Sequence, residues 1–240
     1  MTLALEVGTF VKTNSPQVME LLGTTGLDFV CIDAEHAPFG RNALDAMLMA
    51  SRAARLRAFV RIADMQPATV LNALDLGADG LLVPHVDSAD DARALVALAR
   101  YRGGKRGYSG SPRAAGYGSL STIDVLRKGD ATPLICQIES AAAVQQAEAI
   151  AAVPGVDGLF IGRADLALTM GVDNSRDERV TEATRHVLDV ALRRGLRAGM
   201  HVAGNADRNQ FAAMGANWFI VSSDQGLLRQ AALDIAISRR

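Results

Sequence analysis

The chain has 240 residues, of which 49% are hydrophobic, and its 25 basic residues nearly balance its 26 acidic ones. That length suits one large domain, because an α/β barrel commonly occupies about 200 to 250 residues as a single unit. Since there is no excess of positive charge to meet a polyanion, the composition argues against a nucleic-acid partner. Residues 1–240 are therefore predicted to form one domain.

The two cysteines and the N-terminal residues indicate where in the cell the protein is located. Cys31 and Cys136 both lie inside apolar runs, where small buried thiols are commoner than disulfides, as suits a reducing cytoplasm. The sequence has no unbroken run of about 18 apolar residues, and MTLALEVGTF lacks the basic start and long apolar core of an export signal. We therefore expect a cytoplasmic protein without a membrane span.

Short apolar runs alternate with longer amphipathic segments along the whole chain. Helical segments such as RNALDAMLMASRAARL, ADDARALVALARY and VTEATRHVLDVALRRG follow the apolar runs. Eight strand–helix repeats predict a (β/α)8 barrel, and the lack of GxGxxG after the first strand argues against a dinucleotide-binding fold. The predicted strands are LEVGTFVK, DFVCID, RAFVRI, GLLVPH, PLICQIE, GLFIG, RAGMHV and WFIVS.

One segment interrupts this alternation, from Arg102 to Asp130, between the fourth helix and the fifth strand. Its Gly and Ser content predicts a mobile loop inserted into the barrel. Within it, Arg106 and Arg113 lie among glycines, so the loop can close over a carboxylate or phosphate group. The alternative is an ordinary contact between subunits.

Polar residues close most of the predicted strands. In parallel barrels the C-terminal ends of the strands meet at one rim, where the active site is built. Charged groups in apolar strands are costly unless they are paired or bind a ligand, so their convergence predicts a polar site. The residues in these positions are Asp33, Glu35, His36, Arg61, His85, Gln137, Glu139, Asp165 and His201.

A metal site is predicted on the fifth and sixth strands. Gln137 and Glu139 are two residues apart, so their side chains share a face of one strand, and Asp165 follows the next strand. Two carboxylates from neighbouring strand ends suit a hard divalent cation, with water or an oxygen-rich substrate completing its coordination. The alternative makes Glu139 a helix N-cap partner and Asp165 a turn residue.

Asp33, His36 and Arg61 indicate acid–base and anion-binding chemistry. A carboxylate three positions before an imidazole can orient the ring and raise its basicity, as a general base requires. The guanidinium group of Arg61 is always charged, and its paired N–H donors suit a substrate carboxylate. The alternatives are a structural hydrogen bond for Asp33, a plain loop position for His36, and an ion pair of Arg61 with Glu6 or Glu35.

Other common mechanisms lack their residues. A Schiff-base enzyme needs a desolvated lysine on a barrel strand, and only Lys12 lies near a strand end, since Lys105 and Lys128 fall in the insertion. The sequence has no GxSxG elbow for serine chemistry, and the two cysteines lack metal-ligand spacing. A bound metal ion, rather than a Schiff base, is therefore the favoured means of accepting the electron pair of the substrate.

Seven segments, in order along nearly the whole chain, form a specific combination: DFVCIDAEHAPFG, FVRI, LDLGADGLLVPHV, RGYSGSPRAAGYG, QIES, VDGLFIGRADLALTMG and SSDQGLLR. Together they resemble the HpcH/HpaI aldolase family of metal-dependent pyruvate aldolases, which includes 4-hydroxy-2-oxoheptanedioate and 2-dehydro-3-deoxyglucarate aldolases. The resemblance implies a barrel of the phosphoenolpyruvate/pyruvate superfamily. It also implies a homo-hexamer, a dimer of trimers, whose last helix is exchanged between neighbouring subunits.

The resemblance implies a metal centre and a catalytic group. Glu139 and Asp165 would bind Mg2+, Mn2+ or Co2+. Arg61 would hold the 2-oxo acid and its enolate, while His36 with Asp33 would handle the proton.

The resemblance also implies contacts around the substrate. Gln137 would hydrogen-bond near the metal and bound pyruvate, and the backbone around Gly162 and Ala164 would receive the pyruvate carboxylate. Asp75 is similar to a position that completes a site in a neighbouring subunit of family hexamers. The partners implied are small molecules, a 2-oxo acid and an aldehyde.

The activity implied is the cleavage or formation of 4-hydroxy-2-oxo acids, to or from pyruvate and an aldehyde, through a pyruvate enolate held by the metal. Arg163, Ser222 and His201 depart from the family pattern, and Arg163 or His201 can contact an acidic aldehyde or be solvated rim residues. Two alternatives stay open. One is a citrate lyase β-like acyl-CoA lyase or an oxo-acid decarboxylase, and the other is a non-catalytic barrel.

Overall fold

The computed structural model describes residues 3–237. In this part of the chain, eight parallel strands close into a barrel in sequence order. All eight lie where the apolar runs predict them, so the predicted (β/α)8 barrel is confirmed. The strands are β1 Glu6–Val11, β2 Phe29–Asp33, β3 Arg57–Arg61, β4 Gly80–Val83, β5 Leu134–Ile138, β6 Gly158–Ile161, β7 Arg197–Val202 and β8 Trp218–Ser223.

Helices surround the barrel, and their starts follow local signals in the sequence. Ser88, Ser121 and Ser140 each cap a helix by accepting a hydrogen bond from the backbone N–H three residues on. Within residues 3–237, no helix is long and apolar enough to cross a membrane. The helices are α1 Pro16–Leu22, α2 Arg41–Ala53, α3 Pro67–Asp75, α4 Ala89–Ala99, α5 Thr122–Asp130, α6 Ala141–Ala151, α7 Arg163–Thr169, α8 Glu178–Arg193, α9 Asn205–Ala213 and α10 Asp224–Ile237.

Aromatic rings fill the inside of the barrel. Trp218 stacks on Phe29 with ring centroids 4.4 Å apart, and Phe59 meets Trp218 edge-on at 5.1 Å. Gly80 on β4 leaves the room that the Phe59 ring takes, since a Cβ added there would lie 2.2 Å from a ring carbon. The aromatic filling therefore depends on a strand position without a side chain.

The outer faces of the strands pack against the helices in a second apolar core. Cys136 belongs to this outer core and Cys31 to the filling of the barrel; both are free thiols, and both are buried. The prediction of two buried thiols is therefore confirmed. Burial raises the pKa of both, so they stay protonated at neutral pH.

The prediction that residues 102–130 form a loop is wrong at the C-terminal end of that segment. Thr122–Asp130 is the helix α5, because Ser121 caps it and Arg127 and Lys128 lie in its last turn, where they favour the helix dipole. The preceding part contains a 3-10 turn at Arg113–Gly118. The Gly and Ser content of the segment favours a loop prediction, although Ser121 followed by Asp124 is a pattern typical of a helix N-terminus.

Candidate active site

Asp33 and Arg61 meet at the C-terminal rim of the barrel. They are paired residues in the ladder between β2 and β3, and both side chains are buried. Arg61 donates from Nε to Oδ1 at 2.9 Å and from Nη2 to Oδ2 at 2.8 Å. The Arg61 guanidinium also lies over the Phe10 ring, 4.6 Å from its centroid.

The surroundings of Asp33 favour its ionised form. Burial by itself raises the pKa of this carboxyl, but the hydrogen bonds and charge of Arg61 outweigh burial and hold the pKa below its usual range. Lys12, just past β1, adds a second cation with Nζ 3.1 Å from Asp33 Oδ2. Asp33 is therefore held as an anion between Arg61 and Lys12, and its predicted part in proton transfer stays a prediction.

Asp33 does not orient the His36 imidazole as the sequence interpretation expects. It accepts a hydrogen bond from the backbone N–H of His36 at 3.1 Å, which fixes the turn after β2. The imidazole lies instead beside Glu35, with Nε2 3.7 Å from Oε2, and its side chain is 56% exposed. His36 therefore faces the open mouth of the barrel, and Glu35 is its carboxylate neighbour.

Glu35 connects the two halves of the rim. Its Oε2 lies 3.2 Å from Arg61 Nη1, and its Oε1 lies 3.3 Å from His85 Nε2. Burial raises its pKa, and the nearby Glu139 charge acts in the same direction, although Arg61 and His36 oppose both. The ion-pair alternative for Arg61 is thus correct for Glu35, whereas Glu6 pairs with Arg57.

Glu139 lies just past β5 and is buried. Its Oε1 accepts a hydrogen bond from the His85 backbone N–H at 2.8 Å and lies 3.1 Å from His85 Nδ1, while its Oε2 contacts Gln137 Nε2. Ser140, not Glu139, caps α6, so the N-cap alternative for Glu139 is wrong. His85 has φ +57, a backbone conformation that lets its N–H and its ring reach the same carboxylate.

Gly162 brings the start of α7 against Glu139. A Cβ added at Gly162 would lie 2.8 Å from the Glu139 Cβ and 3.0 Å from its Oε2. The Gly162 N–H already donates to the Ile138 carbonyl at 3.0 Å. Ala164 and Asp165 follow in the first turn of α7, where backbone N–H groups have no acceptor within the helix.

Asp165 is exposed at this turn, and within the described part of the chain its carboxylate makes no hydrogen bond or ion pair. Gln137 Oε1 is buried and also lacks a hydrogen-bond partner among residues 3–237. Gln137 therefore has an oxygen atom available beside the buried Glu139, and among the described residues Asp165 has a free carboxylate in the first turn of α7. Gln137 binds Glu139 through its Nε2 and keeps its Oε1 free, whereas the Asp165 carboxylate has no hydrogen bond or ion pair within residues 3–237.

The three residues expected to depart from the family pattern have different surroundings in the structure. His201 keeps solvent access at the mouth, while partial burial and the charges of Arg61 and Lys12 lower its pKa. Ser222 has φ +57, the left-handed conformation that glycine adopts most easily. Arg163 turns aside to stack on Phe211, 4.6 Å from the ring centroid.

Asp75 lies away from the rim, because it ends α3. Its Oδ1 accepts a hydrogen bond from Arg106 Nη2 of the same chain at 2.9 Å. The predicted contribution of Asp75 to a neighbouring site stays a prediction.

The sequence pattern indicates no catalytic role for Lys12, Glu35 or His85, and it indicates Glu35 only as an alternative ion-pair partner of Arg61. In the structure Lys12 pairs with Asp33, Glu35 contacts Arg61 and His36, and His85 contacts Glu35 and Glu139. Each lies within two residues of a strand end, so position alone was the signal available. Their pairing depends on side-chain directions that spacing does not specify.

Carboxylates, an arginine and imidazoles lie together at the C-terminal ends of the strands of a closed (β/α)8 barrel. This arrangement defines a class of barrel enzymes with a polar site at the rim. The chain belongs to the HpcH/HpaI aldolase/citrate lyase family, whose model matches residues 6–231. The predicted family is therefore confirmed.

Individual proteins agree with this assignment. The chain is 38% identical over 218 residues to a hydroxypyruvate/pyruvate aldolase of Chromohalobacter salexigens, covering 90% of this chain and 85% of the relative. It is 33% identical to a 5-keto-4-deoxy-D-glucarate aldolase of Shigella dysenteriae, covering 97% and 91%. A crystal structure of a family member from Burkholderia cenocepacia superposes with a TM-score of 0.93 at 34% identity, covering 99% and 95%.

Proposed function

We propose that this protein is a divalent-metal-dependent aldolase that cleaves 4-hydroxy-2-oxo acids to pyruvate and an aldehyde, and forms them in reverse. The observation that carries the proposal is the buried Glu139 carboxylate beside the unpartnered Gln137 Oε1, at the rim where Arg61 and His36 also lie. The named activities of the two relatives support the reaction class.

The residues present fit a hard divalent cation. Glu139, Gln137 and Asp165 offer oxygen atoms, the ligand type preferred by Mg2+ and acceptable to Mn2+ and Co2+. Gly162 keeps the space beside Glu139 Oε2 free of a side chain. Within residues 3–237, no three side chains of His, Cys, Asp or Glu converge to hold a metal. We assign Glu139 and Asp165 as the protein ligands of the cation, with substrate oxygens or water in its other positions.

A bound divalent cation supplies Lewis-acid polarisation of the oxygens of a 2-oxo acid. Arg61 provides the fixed positive charge beside it. A guanidinium has five N–H donors, and two of these are bound to Asp33 and a third faces Glu35. The remaining donors of Arg61 can bind the oxygen on which negative charge develops, and Asp33 prevents the guanidinium from turning away.

His36 is proposed to take the proton from the 4-hydroxyl group. Removal of that proton lets the bond between carbons 3 and 4 break, with the electron pair moving toward the 2-oxo group and the aldehyde leaving. Return of a proton to carbon 3 gives pyruvate. The exposed imidazole beside Glu35 has the solvent access that this exchange needs, and Glu35 can stabilise its charged form.

The first turn of α7 is the proposed seat of the pyruvate carboxylate. The Ala164 N–H has no acceptor within the helix, whereas the Gly162 N–H is bound to Ile138. We therefore assign the carboxylate contact to Ala164, and to Gly162 the role of the small residue that leaves space beside Glu139.

We also propose that the protein is a homo-oligomer, a hexamer in which α10 is exchanged between subunits, located in the cytoplasm. Support for the assembly comes from α10, whose apolar side chains Leu227, Leu228 and Leu233 are exposed, the second of them by 73%. Sedimentation velocity on the protein and on Leu228→Glu tests the assembly. A wild-type monomer would contradict it.

Pyruvate release from a panel of 4-hydroxy-2-oxo acids, coupled to lactate dehydrogenase, tests the reaction. We expect activity that EDTA abolishes and added Mn2+ restores. Glu139→Gln should lose both activity and Mn2+ affinity in calorimetric titration, while Glu148→Gln, an exposed carboxylate on α6, should keep both. Activity that resists EDTA, or full Mn2+ affinity in Glu139→Gln, would refute the metal role.

A further inference from the structure

A second polar site lies at the opposite end of the barrel from the rim. A cavity of about 670 Å³ opens between α2, α3 and the segment that follows α4. Its floor includes Arg57, the first residue of β3, together with Asp79 and Pro133, which immediately precede β4 and β5. Because strand N-termini form this floor, the cavity is separate from the candidate active site.

Positive charge dominates the cavity wall. Among the described residues that line it, six are cationic and only Asp79 is acidic, the cations being Arg52, Arg55, Arg57, Arg106, Arg113 and Lys128. Within residues 3–237, no carboxylate lies within ion-pair distance of Arg52, Arg55 or Lys128. The chain as a whole has a net charge of −1, so this concentration of cations is local.

Two of the six cations are built into the wall. The Arg106 side chain is 1% exposed; its Nη2 donates to Asp75, and its guanidinium lies 4.4 Å from the centroid of the Tyr101 ring. Gly129 allows this packing, since a Cβ there would lie 2.5 Å from a Tyr101 ring carbon. Arg113 is held in the same way, with Nη2 bound to Asp45.

Arg106 and Arg113 each use only one guanidinium nitrogen, Nη2, in the hydrogen bonds found within residues 3–237. The Nε atoms of Arg106 and Arg113 are buried and, among residues 3–237, have no hydrogen-bond partner. Both residues line the cavity, so the guanidinium donors that their ion pairs leave free are the fixed positive groups of its wall. A ligand of this cavity is expected to be anionic, because six cationic side chains line it and Asp79 is the one carboxylate among its described lining residues.

We propose that this cavity binds a small anion that carries two or more phosphate groups. Guanidinium forks match the oxygen geometry of phosphate, and the fixed Arg106 and Arg113 would position one phosphate group. The exposed Arg52, Arg55 and Lys128 would bind a second phosphate group at the solvent-facing side of the cavity. A volume of this size accommodates a small metabolite.

Titration calorimetry with inorganic pyrophosphate, on the full-length protein without added divalent cation, tests this site. We expect saturable binding that weakens as salt is added. The double substitution Arg52→Glu with Arg55→Glu, and separately Lys128→Glu on α5, should each weaken binding by roughly tenfold or more, because each removes charged donors. All three residues are exposed, so the variants are expected to fold.

Two controls locate the binding. Arg185→Glu changes an exposed cation on α8, away from the cavity, and Lys12→Ala removes a cation from the rim; both should leave pyrophosphate affinity unchanged. Equal affinity in all the variants, loss of affinity in Lys12→Ala alone, or no binding at all would overturn the proposal. Absent binding, together with an altered oligomeric state in the charge-reversed variants, would assign the cavity to subunit contact instead.

Discussion

Asp33 and Arg61 are direct neighbours across the β2–β3 ladder, and their buried side chains are joined by two hydrogen bonds of 2.9 Å and 2.8 Å. Glu35 and Lys12 lie against the same pair. Such a pair does not have to add stability relative to an apolar core, but removing one member leaves an uncompensated buried charge. The orientation of Arg61 toward the barrel mouth therefore depends on Asp33.

Asp33→Ala should destabilise the protein by about 3–5 kcal/mol, because Arg61 would keep its charge without its main partner. Urea unfolding followed by circular dichroism measures the change. Asp90→Ala is the matched control, since Asp90 forms an ion pair with Arg93 and its side chain is 87% exposed. That control should cost less than about 1 kcal/mol. Equal losses in the two variants would contradict a special role for the buried pair.

Stability should fall on acidification through the titration of Asp33. Its pKa in the folded state is lowered below the ordinary value of about 3.9, so near that pH the folded protein binds fewer protons than the unfolded chain. The stabilisation is complete above the unfolded pKa and is lost as pH falls through the folded pKa. Urea midpoints measured from about pH 5 downward should therefore drop more steeply for the wild type than for Asp33→Asn. Parallel curves would show that Asp33 is not the group responsible.

His36→Ala should slow pyruvate release by roughly 10²- to 10⁴-fold, the usual contribution of a general acid–base group. Mn2+ affinity, measured by calorimetry, should stay the same, because the imidazole lies beside Glu35 rather than Glu139. His186→Ala on the exposed face of α8 serves as the control and should keep full activity. Unchanged turnover in His36→Ala would remove His36 from the mechanism.

Ser222→Gly should stabilise the protein by about 0.5–1 kcal/mol. Ser222 holds φ +57, which is strained for a residue with a Cβ, while glycine adopts it freely at some entropic cost. Ser222→Ala keeps the strain and loses only the hydroxyl, so it should show no gain. Thermal unfolding of the three proteins separates the two effects, and a gain in Ser222→Ala equal to that of glycine would count against backbone strain.

Gly80→Ala should cost about 1–3 kcal/mol, since its new methyl group would overlap the Phe59 ring at 2.2 Å. Gly107→Ala is the paired control, because a Cβ there meets no atom within 4 Å in the described structure. Its denaturation midpoint should stay close to that of the wild type. A tolerated Gly80→Ala would mean that the aromatic filling can shift aside.

Sequence reasoning located the strands well because buried parallel strands carry a strong signal, the short apolar run. It also found most of the polar residues at the rim, since strand ends converge in a barrel. Spacing alone does not fix side-chain partners: it offers Glu35 as one of two possible partners of Arg61 and misses Asp33. Asp33 was paired with the His36 ring on spacing alone, whereas the ladder places it opposite Arg61. The direction of a side chain after a strand end depends on packing from elements distant in sequence.

The insertion shows a second limit. The sequence predicts that Arg106 and Arg113 belong either to a loop that closes over a ligand or to a contact between subunits; in the structure they pair with Asp75 on α3 and Asp45 on α2. Glycine and serine content describes how freely a segment can bend, but not which long-range contacts hold it. Those contacts come from residues more than 30 positions away.

Trp218 gives the protein a built-in optical probe. It is the single tryptophan of the sequence, it is fully buried among Phe29, Phe59 and Phe160, and no hydrogen-bond partner of its Nε1 is found within residues 3–237. Its fluorescence emission should therefore be blue-shifted in the native state. The emission should move to longer wavelength only when the β-strands of the barrel separate. Detachment of the exposed α10 would leave that signal unchanged, so fluorescence can distinguish loss of subunit contacts from loss of the barrel itself.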